Sequence, residues 1–183
     1  MCTWQVNMII KTERLTIRLI KEIDYEDICE YGCDEETGQY MIYWAKTREQ
    51  IRMFINDCIF SLNLENPTWY EFVIGLNKTL KVIGNISLII NDLEAEIGWI
   101  SNKKYWNNGY MSEAVNSIIN YTFNDLAIYK IIATCTSKNI GSIRVMEKCN
   151  MKRLKVEKNY KAMKNGIEVT YDKLTYVIDK SMI

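Results

Sequence analysis

The sequence predicts one mixed α/β domain that spans residues 1–183. Stretches that alternate apolar and polar residues, as strands do, are interleaved with stretches whose apolar residues recur at helical spacing. No linker, internal repeat or low-complexity segment divides the chain, and 183 residues suffice for one domain with a substantial core. The predicted order of elements is β-α-α-β-β-β-α-β-α-β-β.

A strand and two helices open the chain. Residues 15–20 alternate as a strand does, and residues 24–32 predict a short helix with Asp24 as its cap and Gly32 just after its end. Thr47 and Gln50 have the spacing of a capping box, in which two side chains satisfy free backbone N–H groups. The helix that they open is predicted to run to about Leu62.

Three strands then follow in the segments WYEFVIGL, LKVIGNISLII and EAEIGWI. The breaks between them, at Asn77-Lys78 and Asn91-Asp92, have turn residues that favour an antiparallel meander.

The second half of the chain predicts two helices, a strand and a hairpin. One helix starts near Gly109, a buried strand covers residues 130–135, and another helix begins near Asn139. Two long strands, at about 152–163 and 167–178, are joined at Asn165-Gly166, a favoured two-residue hairpin turn.

Composition excludes several classes of function. The 23 Lys and Arg balance the 23 Asp and Glu, so the chain has no overall attraction to nucleic acid or an anionic membrane. There is no histidine for a Ser-His-Asp system, and the six cysteines form no C-x-x-C pair, so no metal site is predicted. The N-terminus does not resemble a signal peptide and no segment is long and apolar enough to span a membrane, which predicts a cytoplasmic protein.

The stretch KKYWNNGYMSEA, residues 103–114, lies where a predicted strand hands over to a helix. The free N–H groups and partial positive charge of a helix N-terminus favour a phosphate or carboxylate there. The pattern is neither G-x-G-x-x-G nor a Walker loop. An alternative is that Asn107 or Asn108 simply caps the helix.

Five stretches in order resemble the GNAT N-acetyltransferases, in particular the branch of ribosomal-protein N-terminal acetyltransferases (RimJ/RimL-like). EIGWISNKKYWNNGYMSEAV is similar to a strand ending E-I-G-aromatic that leads to Y-W-G-x-G-Y-x-S/T-E-A. KTERLTIRLI resembles the opening E-R-L-x-L-R strand, KVIGNISL the I-G-x-I/V strand, and IYKIIATC the strand after it. NIGSIRVMEKCNM resembles N-x-x-S-x-x-V-x-E-K-x-G-F.

The resemblance implies a GNAT fold: one mixed seven-stranded sheet that splays in the middle, flanked by about four helices, with acetyl-CoA in the V-shaped opening. It implies that the backbone of Ile100 and Ser101 pairs with the pantetheine arm and polarises the thioester. It also implies that the pyrophosphate and the rest of the cofactor are held by Lys104, Asn107, Asn108, Gly109, Tyr110, Met111 and Asn139. Glu113, in the first helical turn, is interpreted as structural.

Two asparagines replace glycines of the family pattern, Asn107 in G-x-G and Asn150 in the late G-F pair. Asparagine tolerates a left-handed backbone well, so both changes are interpreted as conserving conformation. At the position where many relatives carry a tyrosine acid, this chain has Met146, which cannot donate a proton. Ser142 is the catalytic substitute that the ribosomal-protein branch implies, and Tyr160 on the hairpin is a further candidate.

Glu96 is the first candidate for the general base, because relatives place a carboxylate or a carboxylate-held water in this region, and Glu157 is the other. A base can also be unnecessary: a protein α-amine has a pKa of about 7.7 to 8.0 and is partly unprotonated near neutral pH. The expected reaction is direct attack of a primary amine on the thioester, with an oxyanion held by strand N–H groups.

The acceptor is expected to contact the first helices and the hairpin. An acidic cluster (Glu30, Asp34, Glu35, Glu36) could attract a cationic amine, and aromatic walls could come from Tyr40, Tyr43, Trp44 and Trp69. Three functions follow: an acetyltransferase for a protein N-terminal α-amine, one for a small polyamine or aminoglycoside-like amine in an enclosed acidic pocket, or a non-catalytic acyl-CoA-binding domain. The hairpin also offers an edge for a homodimer.

Overall fold

The computed structural model describes residues 8–41, 45, 47–164 and 166–182. Its strands form one eight-stranded sheet in the order β1-β2-β3-β4-β5-β6-β8-β7. The strands are β1 (Ile9–Lys11), β2 (Leu15–Leu19), β3 (Trp69–Leu76), β4 (Val82–Asn91), β5 (Glu94–Ser101), β6 (Lys130–Thr136), β7 (Lys152–Lys164) and β8 (Ile167–Asp179). The helices are α1 (Tyr25–Gly32), α2 (Glu35–Gly38), α3 (Arg48–Leu62), α4 (Tyr110–Asp125) and α5 (Ile140–Lys148).

The mixed α/β class is confirmed, all seven predicted strands are present, and β3 to β5 form the predicted antiparallel meander. The predicted count of seven strands is wrong by one, because β1 has only three residues and is too short to show a period. The four-residue helix α2 escaped prediction for the same reason. The hairpin strands end and restart at Lys164 and Ile167, but Asn165 of the predicted turn lies outside the described residues.

The two helix starts predicted in the first half differ in how the side chain of the N-cap residue is used. The capping box of Thr47 and Gln50 is present at the start of α3. Asp24 is the N-cap residue of α1, as predicted, but its side chain forms no capping bond. Its carboxylate accepts instead from the Lys21 N–H and pairs with Arg18, 2.6 Å away, so it fixes the turn before the helix. Gly32 is the last residue of α1 and does not lie after its end.

The sheet is covered by helices on both faces, which creates two apolar clusters. On one face α4 packs its predicted stripe, including Val115, Ile118 and Phe123, against strand residues such as Ile97. On the other face α1 and α3 pack against Val73. The strands between the clusters are therefore held from both sides.

The sheet opens in its middle. β5 and β6 pair in parallel over only three residues each, Glu94 to Glu96 with Lys130 to Ile132. β5 continues to Ser101 without β6 beside it, so the two strands diverge toward the N-termini of α4 and α5. This is the predicted V-shaped opening.

Gly84 of β4 is held close to β5 at this opening. A Cβ on Gly84 would lie 2.6 Å from the carbonyl oxygen of Ile100 and 3.0 Å from the Cα of Ser101. On the neighbouring strand, a Cβ on Gly98 would meet no atom within 4 Å. A side chain would therefore clash with the β5 backbone at Gly84 but would have free space at Gly98, so the two glycines can be compared by the same substitution.

We expect Gly84→Ala to lower the free energy of unfolding by about 1 to 3 kcal/mol, because the new methyl group can be accommodated only if the β5 backbone moves. Gly98→Ala should change it by less than about 0.5 kcal/mol. Urea denaturation of both variants tests this expectation, and equal effects would contradict the close approach of β4 and β5.

Candidate functional site

A cleft of about 550 Å³ lies at the sheet opening. It is bounded by the end of β5, the loop from Tyr105 to Gly109, the first turns of α4 and α5, and residues of and after α2. Eight of the eleven predicted site residues line it: Ile100, Ser101, Asn107, Gly109, Tyr110, Met111, Asn139 and Ser142.

The N-terminus of α4 faces this cleft without a side-chain cap. Gly109 is the N-cap residue, has φ of 78°, and offers no side chain. Asn107 has φ of 61°, so asparagine takes the left-handed conformation that the sequence predicted. The alternative in which Asn107 or Asn108 caps the helix is wrong, because Asn108 donates instead to the carbonyls of Tyr105 and Trp106. The free N–H groups of the first turn are thus available to an anion.

Arg14 clamps the loop to α4. Its Nε donates to Glu113 over 2.6 Å, its NH1 donates to the Asn108 carbonyl over 3.0 Å, and its guanidinium lies 4.5 Å from the centre of the Tyr110 ring. Glu113 also accepts from the Thr12 hydroxyl and the Arg14 N–H. These contacts support the structural interpretation of Glu113.

Burial by itself would raise the pKa of Glu113, but the bonds from Thr12 and Arg14 outweigh it, so the pKa lies below its ordinary value. A carboxyl with a lowered folded-state pKa contributes stability above its unfolded pKa and loses it as pH falls through the folded one. The clamp should therefore weaken in acid.

Glu113→Gln is expected to lower the free energy of unfolding at pH 7 by about 1 kcal/mol, a modest effect because the Arg14 side chain is 41% exposed. The difference from wild type should shrink as pH falls toward about 3. Urea denaturation across this range measures it, with Glu65→Gln in an exposed bend as the control. A difference that grows in acid would contradict the assigned role.

The start of α5 forms the opposite wall. The Asn139 side chain caps this helix, accepting from the Ser142 N–H over 3.0 Å, and Ser142 is half-buried in the cleft lining. Met146 is fully buried in the core, so it neither reaches the cleft nor donates a proton.

Arg144 and Lys148 also line the cleft and were missed by sequence reasoning. Neither forms an ion pair with any residue in the described part of the chain. Their spacing of four places them on one face of α5, which was the available signal. No acidic side chain lines the cleft among the described residues, so its charge favours an anion.

The ladder register determines which β5 backbone groups face the opening. The Asn102 N–H bonds the Ile83 carbonyl over 2.8 Å, and bonded pairs alternate along antiparallel strands. Ile100 therefore bonds toward Asn85, whereas the N–H and C=O of Trp99 and Ser101 point toward the open edge. Trp106 donates its indole N–H to the Ser101 carbonyl over 2.9 Å. Trp99 thus joins Ser101 at this edge, and the Ile100 backbone is committed to the ladder.

Three predicted site residues lie outside the cleft lining. The Lys104 ammonium is 2.9 Å from Glu30, and Asn108 holds the loop as described above. Glu96 is exposed on the sheet face that also carries Gly98 and Ile100.

The two alternative catalytic candidates on the hairpin also lie outside the cleft. Glu157 pairs with Lys155 over 2.9 Å. Tyr160 packs against Tyr171, with the ring centres 5.6 Å apart.

Three of the four residues of the predicted acidic cluster pair with lysines of the same chain. Glu30 pairs with Lys81 and Lys104, and together with Asn102 they lower its pKa to about 2. Lys103 pairs with both Asp34 and Glu36. Glu35 forms no ion pair among the described residues, so three lysines reduce the charge of the four carboxylates without cancelling it.

Of the predicted aromatic walls, Tyr40 lines the cleft. Tyr43 and Trp44 lie outside the described residues. Trp69 lies away from the cleft and donates its indole N–H to Glu71 over 3.1 Å.

Glu71 on β3 is a buried carboxyl that sequence reasoning missed. It is 0% exposed, and it accepts from Asn85, Ser87 and Trp69. Burial raises its pKa, and the three bonds offset part of that rise. The available signal was its position in WYEFVIGL: every other residue there is apolar or glycine, which is typical of a strand covered on both faces.

No helix in the described part of the chain is long and apolar enough to cross a membrane. Within the same residues, no group of three or more Cys, Asp or Glu side chains is arranged to hold a metal ion.

Comparison with known proteins identifies the class to which this fold and cleft belong. Residues 14–152 match the family model described as the acetyltransferase (GNAT) domain. The chain is 34% identical over 148 residues to the uncharacterized N-acetyltransferase YnaD of Bacillus subtilis (strain 168), covering 80% of this chain and 84% of the relative. A solved GNAT-family acetyltransferase from Bacillus anthracis is 32% identical, with a TM-score of 0.82 over 95% of this chain and 99% of the other. The chain belongs to the GNAT acetyltransferase family and is an acetyltransferase.

Two more distant structures share the fold. A ribosomal-protein-S5-alanine acetyltransferase from Vibrio fischeri is 20% identical, with a TM-score of 0.77 over 94% of this chain and 96% of the other. A spermidine N-acetyltransferase from Vibrio cholerae, solved with CoA and spermine, is 19% identical, with a TM-score of 0.78 over 93% and 98%. These two structures therefore support the assignment of the fold.

Proposed function

We propose that this acetyltransferase transfers an acetyl group from acetyl-CoA to a protein N-terminal α-amine. The observation that carries the donor half of the proposal is the uncapped N-terminus of α4, which opens into a cleft lined by cations and by no described carboxylate. A helix N-terminus and unpaired cations are together suited to the phosphates of CoA.

The chain's own residues would hold the donor in three places. The backbone at Gly109, Tyr110 and Met111 would receive the pyrophosphate at the first turn of α4. The open edge of β5, at Trp99 and Ser101, would pair with an amide-bearing arm as a neighbouring strand does. Arg144 and Lys148 are positioned to bind a further phosphate at the α5 wall.

The bound thioester supplies the acyl group and a thiolate as leaving group. A backbone N–H at the open edge of β5 would stabilise the oxyanion that forms when an amine nitrogen attacks the carbonyl carbon. As the C–S bond breaks, the thiolate gains a proton from a nearby acid, for which Ser142 in the cleft is the candidate. The proton that the attacking amine loses passes to solvent or to Glu96, which is exposed and has no ion-pair partner among the described residues.

Two facts favour an α-amine over a polyamine as acceptor. Glu30, Asp34 and Glu36 are already paired with lysines, and no described carboxylate lines the cleft, so the cleft is not the enclosed acidic pocket that a polyamine would require. An α-amine, with a pKa of about 7.7 to 8.0, is partly nucleophilic near neutral pH, which suits a site without histidine. Holding the amine and thioester together would then supply much of the rate.

Acetyl-CoA at about 100 times its Kd should raise Tm by about 5 to 10 °C, whereas NADH and ATP should raise it less.

The release of the CoA thiol should be fastest with a peptide that has a free N-terminus. The same peptide with an acetylated N-terminus and one lysine tests a side-chain amine, and spermidine tests the alternative acceptor. Faster transfer to spermidine would favour a polyamine acetyltransferase, and binding without any transfer would favour a non-catalytic domain.

Substitutions at Asn107 test where the phosphates lie. Asn107→Gly should retain or increase acetyl-CoA affinity, because glycine readily adopts the φ of 61° found there. Asn107→Asp should weaken affinity by about tenfold, since it puts a negative charge beside the pyrophosphate. Calorimetric titration with acetyl-CoA measures both variants. Equal affinity of Asn107→Asp and wild type for acetyl-CoA would contradict the placement of the pyrophosphate beside Asn107.

A further inference from the structure

Three residues form a line across the sheet on the face that carries α1 and α3. Glu71 of β3 is paired with Ser87 of β4, and Ser87 is paired with Gly98 of β5. Exposure increases along this line: Glu71 is fully buried, Ser87 is half-buried and Gly98 is exposed. A Cβ on Gly98 would meet no atom within 4 Å, so the sheet surface at Gly98 is open. This open surface is called the floor below.

The hydrogen bonds in this region all point toward Glu71. Ser87 donates its hydroxyl proton and Trp69 its indole N–H to one carboxylate oxygen, and Asn85 donates to the other. The Tyr31 hydroxyl in turn donates to the side-chain oxygen Oδ1 of Asn85 over 2.8 Å, which fixes the orientation of the Asn85 side-chain amide. Because Ser87 has given up its only proton, its oxygen has lone pairs left to accept from a donor above Gly98.

Glu71 lacks a cation of its own. Buried carboxylates in proteins are normally paired with a cationic group, since an isolated buried charge is costly. None of the ion pairs within the described ranges includes Glu71, and its only bonds there come from three neutral donors. Burial disfavours the ionised form of Glu71, and a cation bound near the Gly98 end of the line would offset that cost.

We propose that the ammonium group of the acceptor binds over Gly98, donates to the Ser87 hydroxyl oxygen, and has Glu71 as its buried counter-charge. Ile100, the next residue on this face of β5, lines the cleft, so the bound amine would sit beside the open strand edge. Glu96, the previous residue on the same face, is an exposed carboxylate at the rim of the floor. Glu71 is a positioning residue in this arrangement because it acts through Ser87.

This inference rests on the proposed function and narrows it. Glu71 is one buried carboxylate and balances one ammonium group, whereas Glu96, a further carboxylate on this face of β5, is exposed at the rim. The buried part of the site would therefore hold one ammonium group, such as the charged end of a peptide. It would also bind the ammonium form and leave deprotonation to a later step at the rim.

The first test compares Glu71→Gln, which keeps the shape and removes the charge, with Glu65→Gln in an exposed bend. Glu71→Gln should raise the KM for the free-N-terminus peptide by about tenfold or more and leave the Kd for acetyl-CoA within about twofold. Glu65→Gln should change neither constant. An unchanged KM in Glu71→Gln, or equal loss of donor and acceptor affinity, would overturn the inference.

A binding test without turnover separates this inference from the proposed function. In the complex with CoA, saturation-transfer NMR should detect n-butylammonium bound to wild type and to Glu65→Gln, but not to Glu71→Gln, and butan-1-ol should give no signal. Equal signals from the ammonium and the alcohol, or no ammonium signal in wild type, would overturn the inference. Failure of wild type to bind acetyl-CoA would instead overturn the proposed function.

Two further variants keep the test available if Glu71→Gln does not fold. Ser87→Ala removes the acceptor oxygen but leaves Glu71 bonded to Asn85 and Trp69, and it should weaken n-butylammonium binding. Gly98→Leu should fill the floor and abolish that binding without loss of acetyl-CoA affinity, whereas the smaller Gly98→Ala should reduce it less. Full n-butylammonium binding in Gly98→Leu would place the amine elsewhere.

Discussion

The parting of β5 from β6 after three paired residues is the constraint on which the rest of the site depends. A fully paired strand would have no backbone group to offer, whereas Trp99 and Ser101 keep theirs directed at the opening. The strands can diverge because β5 is held on its other side by the full length of β4, and because Gly84 lets the two backbones approach closely. The opening then receives the N-termini of α4 and α5 on its two walls. The divergence of β5 and β6 thus creates the cleft, exposes the backbone edge of β5 and brings two helix N-termini, with their partial positive charge, to its walls.

Charge is distributed in a way that separates the two halves of the proposed reaction. Lysines near the cleft that could compete for phosphate are already paired with carboxylates, as Lys103 and Lys104 are with Asp34, Glu36 and Glu30. The unpaired cations Arg144 and Lys148 remain on the α5 wall. A donor that brings several negative charges would therefore meet cations at one end of the cleft and an almost neutral surface at the other. The pairs at Lys103 and Lys104 also tie α1 and α2 to the turn before the loop, so they contribute to the geometry that the loop presents.

Much of this arrangement was predictable from sequence because local conformation decides it. The left-handed asparagines followed from the tolerance of that residue for positive φ, and Asn107 and Asn150 both adopt it. The long helices and strands were predictable from the spacing of their apolar residues. What sequence could not decide was which of several partners a side chain chooses. The ammonium of Lys104, a predicted phosphate ligand, pairs with Glu30, and the carboxylate of Asp24, at its predicted N-cap position, pairs with Arg18. Such choices depend on which side chains the fold brings within reach, as when α1 places Glu30 beside the turn that carries Lys104.

Glu71 shows the same limit and explains why the acceptor side is the harder half to deduce. Its burial follows from the apolar residues around it in the sequence. Its proposed role, however, depends on Ser87 and Gly98, which are 16 and 27 residues away and are aligned with it by the strand register. Replacing Glu71 and its donors by apolar residues of similar volume would remove a desolvation cost, since buried polar networks seldom exceed well-packed apolar cores in stability. A glycine in the middle of β5 is likewise a weak choice for a strand. The two residues lie on one face with Ser87 between them, and a bound ammonium group would offset the cost of burying Glu71 while occupying the space over Gly98.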